Sequence, residues 1–168
     1  MQDLLRCEGM AEFVGRLSCR RLSASGKLLL RQGVSCNHGA FEINGSCISM
    51  AKIDEVLSAS INGQITATDI GALLNWTKAV DITMRGGDSS VQTITAVTTR
   101  VDALDSSRLK AGSISGYSID IKNTDADNIR ANYVAVGKGC HIKLLQYVNA
   151  VQVHPEAIVE RTEKISPN

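Results

Sequence analysis

The residues with the most chemical potential are Cys140 and His141, which stand side by side. An imidazole can take a proton as a general base, and a thiol can serve as a nucleophile. Their setting argues for neither role. Cys140 follows Gly139 in the strand-like run VGKGCHI and reads as a stacked core thiol, while His141 reads as a surface residue next to a turn. His38 lies in the corner Asn37-His38-Gly39, and His154 precedes Pro155; neither has a partner carboxylate close in sequence. No Ser/His/Asp set and no dinucleotide fingerprint is present. Gly86-Gly87-Asp88-Ser89 is glycine-rich but lacks the lysine and the strand–helix setting of a phosphate loop. The five cysteines, Cys7, Cys19, Cys36, Cys47 and Cys140, form no CxxC pair and offer no four-ligand spacing for zinc. They read as buried thiols of a reducing cytoplasm. The residues therefore point to no catalytic group, no cofactor and no metal, and the chain reads as non-enzymatic.

Composition points the same way. Aromatic residues make up 4% of the 168 residues and proline occurs twice, so the apolar content rests on Val, Ile, Leu and Ala, which suit thin stacked layers. The net charge of +1 gives no strong pull toward nucleic acid or anionic lipid. No apolar run is long enough for a membrane span, and Met1-Gln2-Asp3-Leu4-Leu5-Arg6 lacks the pattern of a signal peptide. These features imply a cytoplasmic location.

The elements that would position any site come from a repeat. Gly9, Gly26, Gly45 and Gly63 follow one another at steps of 17, 19 and 18 residues. Cys19, Cys36 and Ile53 follow at 17, with Gly15 and Gly33 as further turn residues and Leu22, Phe41 and Leu57 as recurring apolar positions. A period near 18 is too short for helical repeats and fits one turn of a β-solenoid with three short strands. Within it, Ile61, Gly63, Ile65 and Ala67 alternate with Ser60, Asn62, Gln64 and Thr66, the beat of a half-buried strand. Leu17, Val34, Ile119, Ile121, Val134, Val136 and Ile142 join Ile61 and Ile65 as expected core residues. The stretch from Asp69 to Val80 reads either as an amphipathic helix or as an irregular turn with Trp76 over a corner. The expected organisation is a short segment 1–8, a β-helix domain 9–165 of roughly nine turns and about 40 Å, and a tail 166–168.

Each turn of a solenoid pairs only with its neighbours, so its first and last turns present unpaired backbone groups. Little chain lies outside the repeat to cover them, and end-to-end self-assembly is the expectation. Met10, Phe13 and Val14 at one end and Val153, Ile158 and Val159 at the other are the candidate contact residues. Phe13 is expected to be an accessible, sticky side chain.

The C-terminal stretch from Arg108 resembles the closing region of the bactofilin-like, polymer-forming proteins of Gram-positive bacteria. The similar positions include Ile129, Val134, Val136, Gly137, Gly139, Cys140, Ile142, Leu145, Tyr147, Val151 and Val153, and VGRLSCRRLSASGKLLLRQGVSC resembles the same family's repeat. The resemblance implies a right-handed, three-sided parallel β-helix that polymerises through its terminal turns without nucleotide. It further implies a scaffold in cell shape, cell-wall synthesis or motility, with a related paralogue or cell-wall and motility proteins as partners. Family members carry an N-terminal tail that reaches the inner face of the membrane; here only residues 1–8 precede the first expected turn. The alternative is a left-handed hexapeptide-type acyltransferase, suggested by Val136-Gly137, Ile142 and the neighbouring His141, although a six-residue beat is not sustained.

Overall fold

A computed structural model describes residues 2–71 and 77–167, without the side chains of Gln2, Asn37 and His38. The described strands are β1 Gln2–Phe13, β2 Leu17–Leu30, β3 Val34–Ile70, β4 Ala79–Met84, β5 Ser89–Ala103, β6 Leu109–Ile121, β7 Thr124–Val136, β8 His141–Val153 and β9 Ile158–Lys164. They form one sheet in chain order, and the pairings of successive strands are parallel. The result is a β-solenoid of about 9 turns with about 17 residues per turn, slightly tighter than the period of 18 expected from the glycines.

The cross-section follows from burial along the chain. In β7 the buried residues are Thr124 and Ala126, then Ile129 and Ala131, then Val134 and Val136. Residues two apart share a strand face, so each couple is one straight side, and each step of three between couples is a corner. β5 repeats the pattern with Ser89 and Val91, Ile94 and Ala96, Thr99 and Val101. Three sides of five residues make a turn of 15, the offset at which Leu109 pairs with Thr124. Parallel register then stacks equal ranks into columns, such as Ile94, Ile114, Ile129 and Leu145, or Val101, Ile121 and Val136. Small side chains, such as Ala96, Gly116 and Ala131 in one column, leave room for the branched ones in a narrow interior. Val34, Ile61, Ile65, Ile119, Ile121, Val134, Val136 and Ile142 are all buried as expected, and Leu17 packs half-buried against the core.

Turn lengths vary, and the variation is absorbed at corners. Leu17 pairs with Val34 at an offset of 17, but Arg21 pairs with Ala40 at 19. The two extra residues enter at the Asn37-His38 corner, which accounts for the unequal glycine steps. The corner glycines themselves stack: Gly9 pairs with Gly26 and Gly26 with Gly45. Gly45 has a φ of 137°, and a Cβ there would run into the Gly26 carbonyl oxygen of the turn before. Another corner is closed by Asn123 at a φ of 47°, whose Nδ2 donates to the Ala103 carbonyl at 2.8 Å.

Two expectations need correction, and a third falls partly outside the described residues. Leu57 is 40% exposed; the residue four before Gly63 is Ala59, which is buried like Leu22 and Phe41, the residues four before Gly26 and Gly45. Strand β1 begins at Gln2, so residues 2–8 belong to the first turn rather than preceding it. In the middle third the offsets lengthen to 21 between β3 and β4 and to 24 where Thr66 pairs with Ser90. Of the stretch read as helix or irregular turn, Asp69 and Ile70 end β3 and Ala79 and Val80 begin β4, while Trp76 lies outside the described residues. No element among the described residues is an α-helix, and none is long and apolar enough to cross a membrane as a helix.

The glycine stack yields a paired test. Gly45→Ala forces a side chain against backbone at a left-handed φ and is expected to lower stability by about 2 kcal/mol or more. Gly15→Ala, where an added Cβ meets nothing within 4 Å, is expected to change it by less than about 0.5 kcal/mol. Thermal and urea melts followed by circular dichroism compare the two; equal effects would contradict the stacking argument.

Candidate functional site: the open edges of the sheet

Each internal turn hydrogen-bonds to a turn on either side, but among the described residues β1 pairs only with β2, and β9 only with β8. The Arg31 N–H donates to the Phe13 carbonyl at 2.9 Å, so Phe13 turns its backbone groups toward β2. Successive strand residues alternate in this respect, which leaves the Glu12 N–H and C=O facing the free edge. At the other end the Ile165 N–H donates to the Tyr147 carbonyl at 2.8 Å. By the same alternation Thr162 and Lys164 face away from β8.

The end layers are apolar as well as unpaired. The half-buried hydrophobic residues packed on the core are Leu5, Cys7, Ala11, Phe13 and Leu17 near one end, and Tyr147, Val151, Ala157 and Val159 near the other. In register, Leu5 heads the column of Leu22 and Phe41, and Val159 ends the column of Ala126 and Ile142. Their side chains are covered from one axial direction and open in the other.

The six candidate contact residues divide accordingly. Phe13 and Val159 are inward residues of the end layers, and Val153, 40% exposed, closes the column of Val101, Ile121 and Val136. Met10, Val14 and Ile158 are 80%, 68% and 59% exposed and point to the flanks of the rod. Phe13 is therefore not the freely accessible side chain expected from the sequence; an arginine there would enter a core column. Leu5, Cys7, Ala11, Val151 and Ala157 belong to the same end layers and were missed. Leu5 carried a readable signal, since it lies four residues before Gly9 as Leu22 does before Gly26.

Comparison with protein-family models, curated proteins and solved structures finds no match.

The residues considered for chemistry are held apart from one another. His141 points outward, with Nε2 2.7 Å from Glu160 Oε1 on the next turn, whereas Cys140 points inward with Sγ 3.7 Å from the Ile121 carbonyl. Burial raises the Cys140 thiol above its ordinary range, opposed by backbone hydrogen bonding and by the Arg108 charge. His141 borders a long open groove of about 850 Å³ that crosses several turns past Met50, Thr68, Gln92 and Lys143. Among the described residues no cluster of His, Cys, Asp and Glu has the makings of a metal site. The sides are five residues long in β5 and β7, whereas in β2 and β3 the buried residues recur every six, at Leu22, Leu28 and Val34 and at Phe41, Cys47, Ile53, Ala59 and Ile65, a six-residue beat that the sequence reading missed.

Cross-turn ion pairs line the flanks, among them Arg16–Asp54 at 2.9 Å, Arg21–Glu42 at 2.8 Å and Lys143–Asp127 at 2.7 Å. Two tie down the end turns: Arg31–Glu12 at 2.8 Å and Lys138–Glu156 at 3.7 Å. All are solvent-exposed and contribute at most about 1 kcal/mol each.

Cys19 and Cys36 lie 17 residues apart in neighbouring turns, and both are free and buried. Burial raises all five thiols, Cys47 to about 12. For Cys47 the folded value lies above the unfolded one, so its contribution to stability is complete below about pH 9 and is lost as pH rises toward 12. Stability is expected to fall between about pH 9 and pH 12, and less steeply in Cys47→Ala. In native protein Cys19 and Cys36 are expected to resist a small thiol reagent that labels both after denaturation; rapid native labelling would contradict their stacking.

Proposed function

We propose that this protein is a non-enzymatic scaffold whose rods join end to end, without nucleotide, into filaments. The observation that carries this reading is the coincidence, at both ends of one parallel sheet, of an unpaired strand edge with half-covered core columns. A copy placed on either edge gives edge N–H and C=O groups partners and covers Leu5, Cys7, Ala11 and Phe13 or Val151, Ala157 and Val159. Water solvates the free edge groups, so the net gain per hydrogen bond is only about 1 kcal/mol; burial of apolar side chains adds about 25 cal/mol per Å².

The likeness of the VGKGCHI region and the glycine repeat to bactofilin-like proteins supports the same reading, in which the filaments organise cell-shape, cell-wall or motility machinery of a bacterium. The setting is the cytoplasm or the inner face of the membrane, and the first partner is the chain itself.

The test uses proline on the free edges. Glu12→Pro and Thr162→Pro each remove an N–H that faces away from the adjacent strand, a position where edge strands tolerate proline. Wild-type protein is expected to form filaments in negative-stain micrographs. Each variant is expected to give short species while its circular dichroism and melting stay near wild type. Discrete wild-type rods, or filaments undiminished in both variants, would overturn the proposal.

A further inference from the structure

One corner of the rod differs from the polar flanks. It carries Leu57, Lys78, Val97, Tyr117 and Tyr133 on successive turns. The Lys78 N–H donates to the Leu57 carbonyl at 2.8 Å, and the Thr98 N–H to the Lys78 carbonyl at 2.8 Å. The pairs Ala96–Gly116 and Thr98–Ser118 bracket Val97 and Tyr117. The rings of Tyr117 and Tyr133 meet edge-to-face with centroids 5.4 Å apart. Leu57, Val97, Tyr117 and Tyr133 are 40%, 41%, 50% and 41% exposed, and Lys78 is exposed among them. Tyr133 pairs with Ser118, one position on from the residue opposite Tyr117, so the corner carries a mainly apolar patch interrupted by Lys78; an exposed patch of this kind marks a contact site.

We propose that this patch is a lateral contact between two copies of the chain running antiparallel. Rungs about 4.8 Å apart match best on another rod with the same rise. The order of residues chooses the direction. A two-fold axis at Val97 sets Val97 on its counterpart, Leu57 against Tyr133 of the second copy, and the Lys78 ammonium against the ring of Tyr117 of the second copy. The last contact is a cation–π pair made twice. A parallel arrangement in register puts Lys78 on Lys78, which repel.

The area limits when pairing occurs. Four half-exposed side chains offer on the order of a few hundred Å² per rod, so two patches fall short of the roughly 1,200 Å² of a stable interface. A single pair of rods is held weakly. The contact becomes effective once end-to-end joining repeats it along a filament, by avidity. The inference therefore rests on the proposed end-to-end assembly.

Filament width in negative-stain micrographs and the fraction pelleted at low centrifugal speed test it. Wild-type filaments are expected to lie in pairs. The double variant Tyr117→Ser/Tyr133→Ser and the single variant Lys78→Glu are expected to form filaments of wild-type length that stay single, with the low-speed pellet reduced about tenfold. Lys78→Arg, which keeps the cation, is expected to pair as wild type. Melting followed by circular dichroism checks that the variants fold. Wild-type filaments that stay single, or pairing that survives both the tyrosine variant and Lys78→Glu, would overturn the lateral contact alone. Wild-type protein that makes no filaments would overturn the end-to-end assembly and the lateral contact with it.

Discussion

Backbone hydrogen bonds directed along the rod axis constrain everything else in this molecule. Each turn must keep its strands in parallel register with the turn before, because a slip of one residue would turn its inward side chains outward. Register then fixes which side chains meet: Ile114 sits between Ile94 and Ile129 because all three hold the same rank in their turns. Insertions are confined to corners, where the ladder can be interrupted without disturbing a column. The extra residues at Asn37-His38 and the shift between Ala131 and Tyr133 show the sheet resuming register on the far side. Positions that close tightly on the preceding turn, such as Gly45, accept no side chain.

This constraint explains what could be read from the sequence. Glycines needed at a stacked corner recur at the period of the fold, so Gly9, Gly26, Gly45 and Gly63 disclosed the turn length, its irregularity and the solenoid class. Alternation around Ile61 and Ile65 disclosed the inward face. Where corners close by other means the signal fades. The turns after residue 90 rely on Asn123 and on the regular five-residue spacing of small and branched residues, and the middle third stretches to offsets of 21 and 24. A fixed period of 18 carried across that region finds nothing. The misreading of Leu57 has the same origin: counting 16 residues on from Phe41 leads to an exposed corner, while counting four back from Gly63 leads to buried Ala59.

The ends were harder to read than the body because one residue type serves two purposes there. Phe13 and Val159 look like surface apolar residues when judged by their place near the ends of the repeat. Register makes them core residues whose column stops. Hydrophobicity alone does not separate an inward residue of an end layer from a flank residue such as Met10. Alternation within the strand does, because Phe13 shares the face of Ala11 and Met10 lies on the opposite one.

In the proposed assembly, charge bears on how two such ends would approach one another. With 18 basic and 17 acidic side chains, the chain has no large net charge to hold copies apart. Several flank charges are engaged locally across turns, as in Arg21–Glu42 and Lys143–Asp127, where they stiffen the ladder. Beside the free edges, Arg31–Glu12 and Lys138–Glu156 follow the same rule. Natural sheets often protect an edge with unpaired charge. Charges neutralised by their neighbours, as at Glu12 and Glu156, give weaker protection, and in the proposed assembly a second copy would meet exposed backbone and half-covered columns beside them.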